Sequence, residues 1–377
     1  MKEIYLDHAA TTAALPEAIA AYVKGTANCG NPSSLHSAGV RAKSALEAAR
    51  AEVANAFGVT AKEIIFTSGG SESNNAAIRG AYKTHCRRGK RIILSAGEHP
   101  SVENPARALA EEYGAEIVFI PTRGGILDTD VLTEALSVPT ALVCVMLANN
   151  ESGAIYDIAA VRRAIDASGT GAHFHCDAVQ GFLKCGEYRQ IKDYCDTASV
   201  SAHKVGGVRG VGALYVKNGV RLPPFILGGG QEGGLRSGTE DLPGICAFAE
   251  ACKLHGGVKD EEIKALREAF IKTLSEECPF AVFHVPPKHV EPILSVSFPG
   301  VKSEVLLNAA SAEGIYISAG SACSAARKGA SRVMEAYGLP KAELESAVRV
   351  SFGAGDTAEE CVYAAKRLAE NAKRLKR

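Results

Sequence analysis

The sequence has no excess of either charge. Its 377 residues include 42 lysines and arginines and 42 aspartates and glutamates. Without a net charge, a protein gains no long-range attraction to phosphate backbones or to anionic lipid. The composition therefore excludes the strongly basic classes of protein, and we expect neither nucleic acid nor membrane as a partner.

Paired cysteines and long apolar stretches are also absent. The eleven cysteines are odd in number and contain no C-x-x-C pair, which argues against a disulfide framework or a zinc ribbon and favours a reducing compartment. The longest clear apolar run, residues 141–148, is far shorter than the roughly 18 residues that span a bilayer. The first residues, "MKEIYLDHAATT", contain no apolar signal core. We expect a cytoplasmic protein.

Short apolar or β-branched runs alternate with helix-length segments. Between the runs, Leu46, Ala49, Val53 and Phe57 recur every three or four residues and share one helical face. Repeated strand and helix predicts an α/β fold with a mostly parallel sheet covered on both sides. The predicted strands are 63–68, 91–96, 116–121, 141–148, 172–178, 197–202 and 212–216.

After about residue 255 the pattern changes to a charged helix, isolated strands and a closing helix from 357. This pattern predicts a smaller α+β unit. A chain of this length accommodates two domains. We expect a large domain over 15–255 and a small domain built from 1–14 and 256–377.

Polar residues follow the predicted strands, where ligands gather in open parallel sheets. Gly70 and Ser71 open a predicted helix whose free N–H groups favour a phosphate, although an ordinary capped turn fits equally well. His99 and Asn150 follow two further strands, and each alone is typical of an ordinary loop. Their common position at the strand ends makes them candidates for one site.

His173, His175 and Asp177 alternate along a predicted strand and therefore face the same side. Two histidines and a carboxylate are able to hold a metal. However, His173 stands at the start of the strand and no further clustered ligand follows. We expect no metal site here.

Lys204 follows a predicted strand in "SAHKVGG", between Ser201 and His203 on one side and glycines on the other. A solvated lysine is the ordinary alternative, but a desolvated lysine forms a Schiff base with a carbonyl. Asp177, at the end of the neighbouring strand, suits the ring nitrogen of an aldehyde cofactor. The two residues together predict pyridoxal 5'-phosphate.

Further candidates lie in the carboxyl-terminal half. Cys323 is flanked by serine, alanine and glycine, which predicts a reachable, mobile thiol. Arg349 lies among apolar residues of a predicted strand and needs an anion, either a substrate carboxylate or a structural Asp or Glu. Thr239 lies in the glycine-rich stretch 228–241.

With these residues, the chain resembles the cysteine desulfurases. These are pyridoxal-phosphate-dependent enzymes with the aminotransferase-like fold (fold type I). The resemblance runs nearly end to end and in the family's order. It rests on "YLDHAATT", "GNPSSLH", "EIIFTSGGSESNN", "EH" at 98–99, "NNESG", "HCDAVQ", "SAHK", "GGGQEGGLRSGT", "SAGSACS" and "VRVSFG".

The resemblance implies a role for each candidate residue. Lys204 would bind the cofactor covalently and later move protons, Asp177 would pair with the ring nitrogen, and His99 would stack on the ring and exchange protons with substrate. Gln180 would hydrogen-bond the ring hydroxyl oxygen. The phosphate would be held by Gly70, Ser71, Ser201 and His203, together with Thr239 from the second subunit of a homodimer. The substrate carboxylate would be held by Arg349 and Asn150.

The implied reaction removes sulfur from L-cysteine, releases L-alanine and leaves a persulfide on Cys323. An acceptor protein would then take the sulfur for iron–sulfur clusters, thio-cofactors or thiolated tRNA. A related aminotransferase is disfavoured by Cys323, whereas a selenocysteine lyase stays open. Retention of the reactive residues argues against a non-catalytic interaction protein.

The chain departs from the family pattern at three places. Val205–Gly210 lacks the common Gly-Pro-Lys-Gly and a bulky residue after the lysine, so we expect a looser loop there. Ala319 and Arg327–Gly329 differ near Cys323, which bears on the choice of sulfur acceptor. The chain also ends soon after its last predicted helix, which leaves docking to a scaffold protein an open question.

Overall fold

The computed structural model describes residues 3–254, 259–320 and 331–376. The strands are β1 Ile4–Tyr5, β2 Ile64–Thr67, β3 Arg91–Ser95, β4 Glu116–Ile120, β5 Thr140–Cys144, β6 His173–Asp177, β7 Thr197–Ser201, β8 Gly212–Val216, β9 Val282–His284, β10 Ile293–Ser297, β11 Ile315–Tyr316 and β12 Ala347–Ser351. The helices are α1 Pro16–Thr26, α2 Ser37–Phe57, α3 Gly70–His85, α4 Pro100–Tyr113, α5 Thr129–Ala135, α6 Ile158–Ser168, α7 Ile191–Tyr194, α8 Leu242–Lys253, α9 Asp260–Glu277, α10 Ser303–Ala312, α11 Arg332–Tyr337, α12 Lys341–Leu344 and α13 Ala358–Leu375.

A seven-stranded sheet has the order β2-β8-β7-β6-β5-β3-β4. Only β8 runs antiparallel to its neighbours, so the predicted α/β fold with a mostly parallel sheet is confirmed. Most observed strands are slightly shorter than the predicted ones, and in the predicted strand 141–148 the observed strand β5 ends at Cys144. Because the parallel strands end at the same edge, Thr67, Asp177 and Ser201 terminate there together.

The other described strands form two smaller sheets, one of three strands and one of two. β10 lies between β12 and β9 in an antiparallel sheet, and β1 pairs in parallel with β11. Ile4 and Leu6 share a buried apolar cluster with Phe270 of α9, Val350 of β12 and Leu368 of α13. The first residues of the chain therefore pack with its carboxyl-terminal elements. No helix in the described part of the chain has the length and apolar character needed to cross a membrane.

The loop after Lys204 is bound closely to the start of the chain, in contrast to the looser loop expected from its sequence. Thr12 donates its backbone N–H to the carbonyl of His203 (2.9 Å), and its hydroxyl accepts from the N–H of Gly206 (3.0 Å). Leu15 donates to the carbonyl of Gly206 (2.8 Å). The missing proline is thus offset by hydrogen bonds to residues almost 200 positions away.

Arg50 of α2 and Glu232 form a buried, bidentate ion pair with both N···O distances at 2.7 Å. Glu232 also accepts from the backbone N–H of Phe66 in β2 (2.8 Å). These bonds fasten the glycine-rich stretch 228–241 to the sheet. A charge-assisted, bidentate pair gives such a contact both strength and a fixed geometry.

We expect Glu232→Gln to lower the free energy of unfolding by about 3 kcal/mol, since it removes the buried carboxylate that binds Arg50 and leaves this arginine only the more distant, half-exposed Glu47 (3.5 Å). Urea denaturation measures this loss. The matched control is Glu112→Gln, which breaks the exposed pair with Arg79 (2.8 Å) and should change the free energy by no more than about 0.5 kcal/mol. Equal effects of the two substitutions would contradict the role given to the buried pair.

Candidate active site

One cavity at the carboxyl edge of the large sheet brings together ten of the twelve residues singled out in the sequence. Nine of them end or follow β2, β3, β5, β6 and β7, and Arg349 lies in the middle of β12 in the smaller sheet. The two others are Thr239, which is exposed and does not line the cavity, and Cys323, which lies outside the described residues. The ten are Gly70, Ser71, His99, Asn150, Asp177, Gln180, Ser201, His203, Lys204 and Arg349.

Asp177 presents a buried carboxylate at the floor of this cavity. Its Oδ2 accepts from the Asn74 amide (2.8 Å) and its Oδ1 from the N–H of Val179 (3.0 Å). Among the described residues no lysine, arginine or histidine forms an ion pair with it. A buried, hydrogen-bonded carboxylate without a cation is suited to a protonated ring nitrogen entering the cavity.

The two histidines considered as metal ligands form part of a hydrogen-bond network that reaches Asp177 through Asn74. Both rings bond the hydroxyl of Thr197 at 2.9 Å, and His175 Nε2 bonds Asn74 Oδ1 at 2.9 Å. Burial lowers the pKa of His173 to about 4 and of His175 to about 3, so both rings are neutral at pH 7. Asn74 is a residue that the sequence reasoning missed, although it lies in the motif "SESNN".

Lys204 ends a short 3-10 turn, Ala202–Lys204, directly after β7. Its Nζ donates to the backbone carbonyls of Ala9 and Ala10, both at 2.7 Å. The amine is therefore half-buried and fixed in place at the cavity wall, not free in solvent. The motif "DHAATT" contributes these acceptors through its backbone, which side-chain chemistry alone does not reveal.

His99 is the N-cap of α4, and its capping hydrogen bond determines which ring nitrogen carries the proton. The backbone N–H of Ser101 donates to His99 Nδ1 (3.1 Å), so the neutral ring carries its hydrogen on Nε2. Burial lowers the pKa of His99; the charge of Lys204 acts in the same direction and that of Asp177 opposes it. His99 is thus a neutral ring with a defined donor nitrogen.

The amino-terminal end of α3 forms one wall of the site and is suited to a phosphate. Gly69 takes φ = +149°, a conformation that favours glycine, and leaves the start of the helix without a side-chain cap. Ser71, Ser201, His203 and Arg209 line the opening in front of it. Burial lowers the pKa of His203 to about 4, with the charges of Lys204, Lys184 and Arg209 adding to the effect. Free N–H groups, hydroxyls and an arginine form a typical anion site.

Arg349 lines the same cavity and already has a carboxylate partner. Its Nη2 pairs with Asp7 Oδ1 (2.6 Å) and its Nη1 donates to the carbonyl of Asn150 (2.8 Å). Arg349 Nε and Asn150 Oδ1 are buried and have no hydrogen-bond partner among the described residues. The structure therefore supplies the structural acid that the sequence left open, Asp7, and also leaves polar groups available beside the cavity.

The described residues on either side of 321–330, the stretch that contains Cys323, meet the same site. Ser318 exchanges backbone hydrogen bonds with Arg349 (3.1 and 2.6 Å). Ser331 donates its hydroxyl to the buried carboxylate of Glu151, the residue after Asn150. Described residues on both sides of this stretch are therefore anchored beside Arg349 and Asn150 at the cavity.

Comparison with known proteins shows the family of this chain. Residues 4–363 match the family model of the class-V aminotransferases. The sequence is 39% identical to the cysteine desulfurase IscS of Anaeromyxobacter dehalogenans, over 99% of this chain and 93% of that protein. It is 37% identical to a putative cysteine desulfurase, IscS 1, of Bacillus subtilis, over the whole of both chains. The solved structure of a NifS-like protein superposes with a TM-score of 0.92 at 32% identity, over 99% of this chain and 100% of that one.

Proposed function

This chain belongs to the class-V aminotransferase family, and we propose that it is a pyridoxal-phosphate-dependent cysteine desulfurase. The observation that carries the proposal is the joint presence of Lys204 and the uncompensated Asp177 carboxylate in one cavity. The substrate is L-cysteine and the products are L-alanine and a protein-bound persulfide.

The residues present fit the cofactor. Asp177 offers the anion for the ring nitrogen, the start of α3 with Ser71, Ser201 and His203 offers the phosphate site, and Lys204 offers the amine. When bound, pyridoxal phosphate supplies an aldehyde that binds amines covalently and a ring that accepts electron density. Gln180 and His99 line the same cavity and would hold the ring from its edge and its face.

The protein's own groups bind the substrate and move its protons. Arg349 and Asn150 would hold the substrate carboxylate, which orients the Cα–H bond toward the cavity. The amine of Lys204 would accept the Cα proton of the bound substrate as a general base. The neutral His99 ring lines the same cavity and offers its Nε2–H there as a hydrogen-bond donor. Burial of these groups keeps water from competing for the protons.

Cys323 would accept the sulfur. Its thiolate attacks the sulfur of the bound cysteine, an S–S bond forms, and the C–S bond breaks with its electron pair remaining on carbon. Protonation of that carbon gives alanine, and Cys323 carries the persulfide. Ser318 is bound to Arg349, and Ser331 is bound to Glu151 next to Asn150. These contacts support delivery of the Cys323 thiol to a substrate held by Arg349 and Asn150.

The partners are part of the proposal. A homodimer is supported by large exposed apolar side chains, notably Leu35 (97% exposed) and Leu227 (84% exposed). In such a dimer Thr239, exposed here, would reach the phosphate site of the second subunit. A sulfur-acceptor protein, for iron–sulfur clusters or thiolated products, would take the persulfide sulfur. The ten described cysteines are all free thiols, which supports a cytoplasmic location.

We expect the cofactor-loaded protein to convert L-cysteine to alanine and, with a thiol reductant present, to release one sulfide per alanine. Amino-acid analysis and a colorimetric sulfide assay measure the two products. Pyruvate and ammonia in place of alanine would indicate β-elimination. Alanine formed only when pyruvate is added, with mercaptopyruvate as the second product, would indicate an aminotransferase, and either result would contradict the proposal.

A further inference from the structure

Lys184 is a second lysine near the site that the proposed chemistry does not use. It lines a separate cavity together with Lys204, His8 and Asp260. The residue before it, Leu183, takes φ = +58°, a left-handed conformation that costs a non-glycine residue roughly 1–2 kcal/mol. Backbone strain of this kind persists where the surrounding structure requires it, often at functional sites. Here it brings Lys184 back toward Gln180.

Lys184 and the carbonyl of Ala9 together fix which way the amide of Gln180 points. The Nζ of Lys184 donates to Gln180 Oε1 (2.9 Å), since a lysine ammonium has hydrogen-bond donors and no acceptor. The oxygen of the amide is therefore on the Lys184 side, and Nε2 faces the carbonyl of Ala9 (2.7 Å). Nε2 carries two hydrogens, so one N–H remains for a ligand in the active-site cavity that Gln180 lines.

The same bonds connect Lys184 with Lys204. The carbonyl of Ala9 accepts from both Gln180 Nε2 and Lys204 Nζ, each at 2.7 Å. Lys184, Gln180, Ala9 and Lys204 thus form one continuous hydrogen-bonded chain. Burial lowers the pKa of Lys184 to about 7, with the charges of Lys204 and Arg349 acting in the same direction. Both protonation states still donate an N–H, so the bond to Gln180 persists across neutral pH.

We propose that Lys184 is a positioning residue that fixes the amide of Gln180 with a donor directed to the cofactor. This inference rests on the proposed function, because it takes the ligand of Gln180 to be the pyridoxal ring hydroxyl, ionised as an acceptor. Without Lys184 the amide oxygen loses its donor and only the carbonyl of Ala9 still holds the amide, so its second N–H is no longer fixed toward the cofactor. A lost or reversed hydrogen bond to a charged group weakens binding substantially.

A double-mutant cycle tests this positioning role through cofactor affinity. We expect Lys184→Met to raise the dissociation constant of pyridoxal phosphate about tenfold in the wild-type background. In the Gln180→Ala background the same substitution should change it less than twofold, because no amide remains to be oriented. Lys184→Arg, which keeps a donor, should restore affinity to within about threefold of wild type.

Equal factors in both backgrounds, or no recovery with arginine, would overturn the positioning role. Thermal melting of each variant separates a folding defect from a binding defect, since a merely structural lysine would lower stability in both backgrounds alike. Failure of the proposed function looks different. In that case the wild-type protein itself would bind no pyridoxal phosphate or form no alanine from L-cysteine.

Discussion

Lys204→Ala is expected to reduce alanine formation from L-cysteine by at least about 1,000-fold. The carbonyls of Ala9 and Ala10 hold the amine of Lys204 at the cavity wall, each at 2.7 Å. We expect no other amine to occupy this position in the variant. The variant loses both the covalent attachment of the cofactor and the general base for the Cα proton. Steady-state alanine release under saturating L-cysteine measures the effect.

The matched control is Lys192→Ala. Lys192 is an exposed lysine of α7 that pairs with Asp193 at 3.7 Å and does not line the active-site cavity. We expect this variant to keep wild-type activity. If Lys204→Ala retained more than about a tenth of the wild-type rate with cofactor bound, Lys204 would not be the catalytic amine.

Cys323→Ala is expected to abolish sulfur transfer while leaving the cofactor in place. Without an attacking thiolate the C–S bond has no acceptor for its sulfur, so alanine and sulfide should both fall to background, a loss of at least about 1,000-fold. The absorption spectrum of the bound cofactor and the melting temperature should stay as in the wild type. Sulfide release and the spectrum are measured on the same samples.

The other cysteines provide the controls for this variant. Burial raises the pKa of the thiols of Cys144, Cys176 and Cys252, which makes them poor nucleophiles. Cys29 is the exposed cysteine among the described residues, and Cys29→Ala should release sulfide at the wild-type rate. Sulfide from Cys323→Ala equal to that of wild type would refute the persulfide role of Cys323.

The sequence sufficed to predict the residues that follow the parallel strands. Asp177, Ser201 and Lys204 follow or end apolar runs, and the geometry of a parallel sheet brings such ends together without further information. The α/β class followed from the same alternation of patterns. Side-chain chemistry at known topological positions was enough for this part of the site.

The contacts that hold those residues in place depend on the tertiary structure. Asp7 and Arg349 are 342 positions apart and meet because β1 lies beside the carboxyl-terminal strands. The acceptors of Lys204 are backbone carbonyls, which any residue type supplies. Local composition also predicted a loose loop after Lys204, because nothing in it indicates the hydroxyl of Thr12 that binds Gly206. No local sequence pattern predicts contacts between residues so far apart in the chain.

The most direct measurement of the central claim is reductive trapping followed by peptide mapping. The cofactor-loaded protein is treated with borohydride, digested, and analysed by mass spectrometry for a lysine that carries the reduced pyridoxyl group. The account predicts this group on Lys204, the amine that lines the same cavity as Asp177. Lys184 is the critical comparison, because it is a nearby buried amine whose pKa is lowered to about 7. The pyridoxyl group on Lys184, or on no lysine at all, would contradict the account.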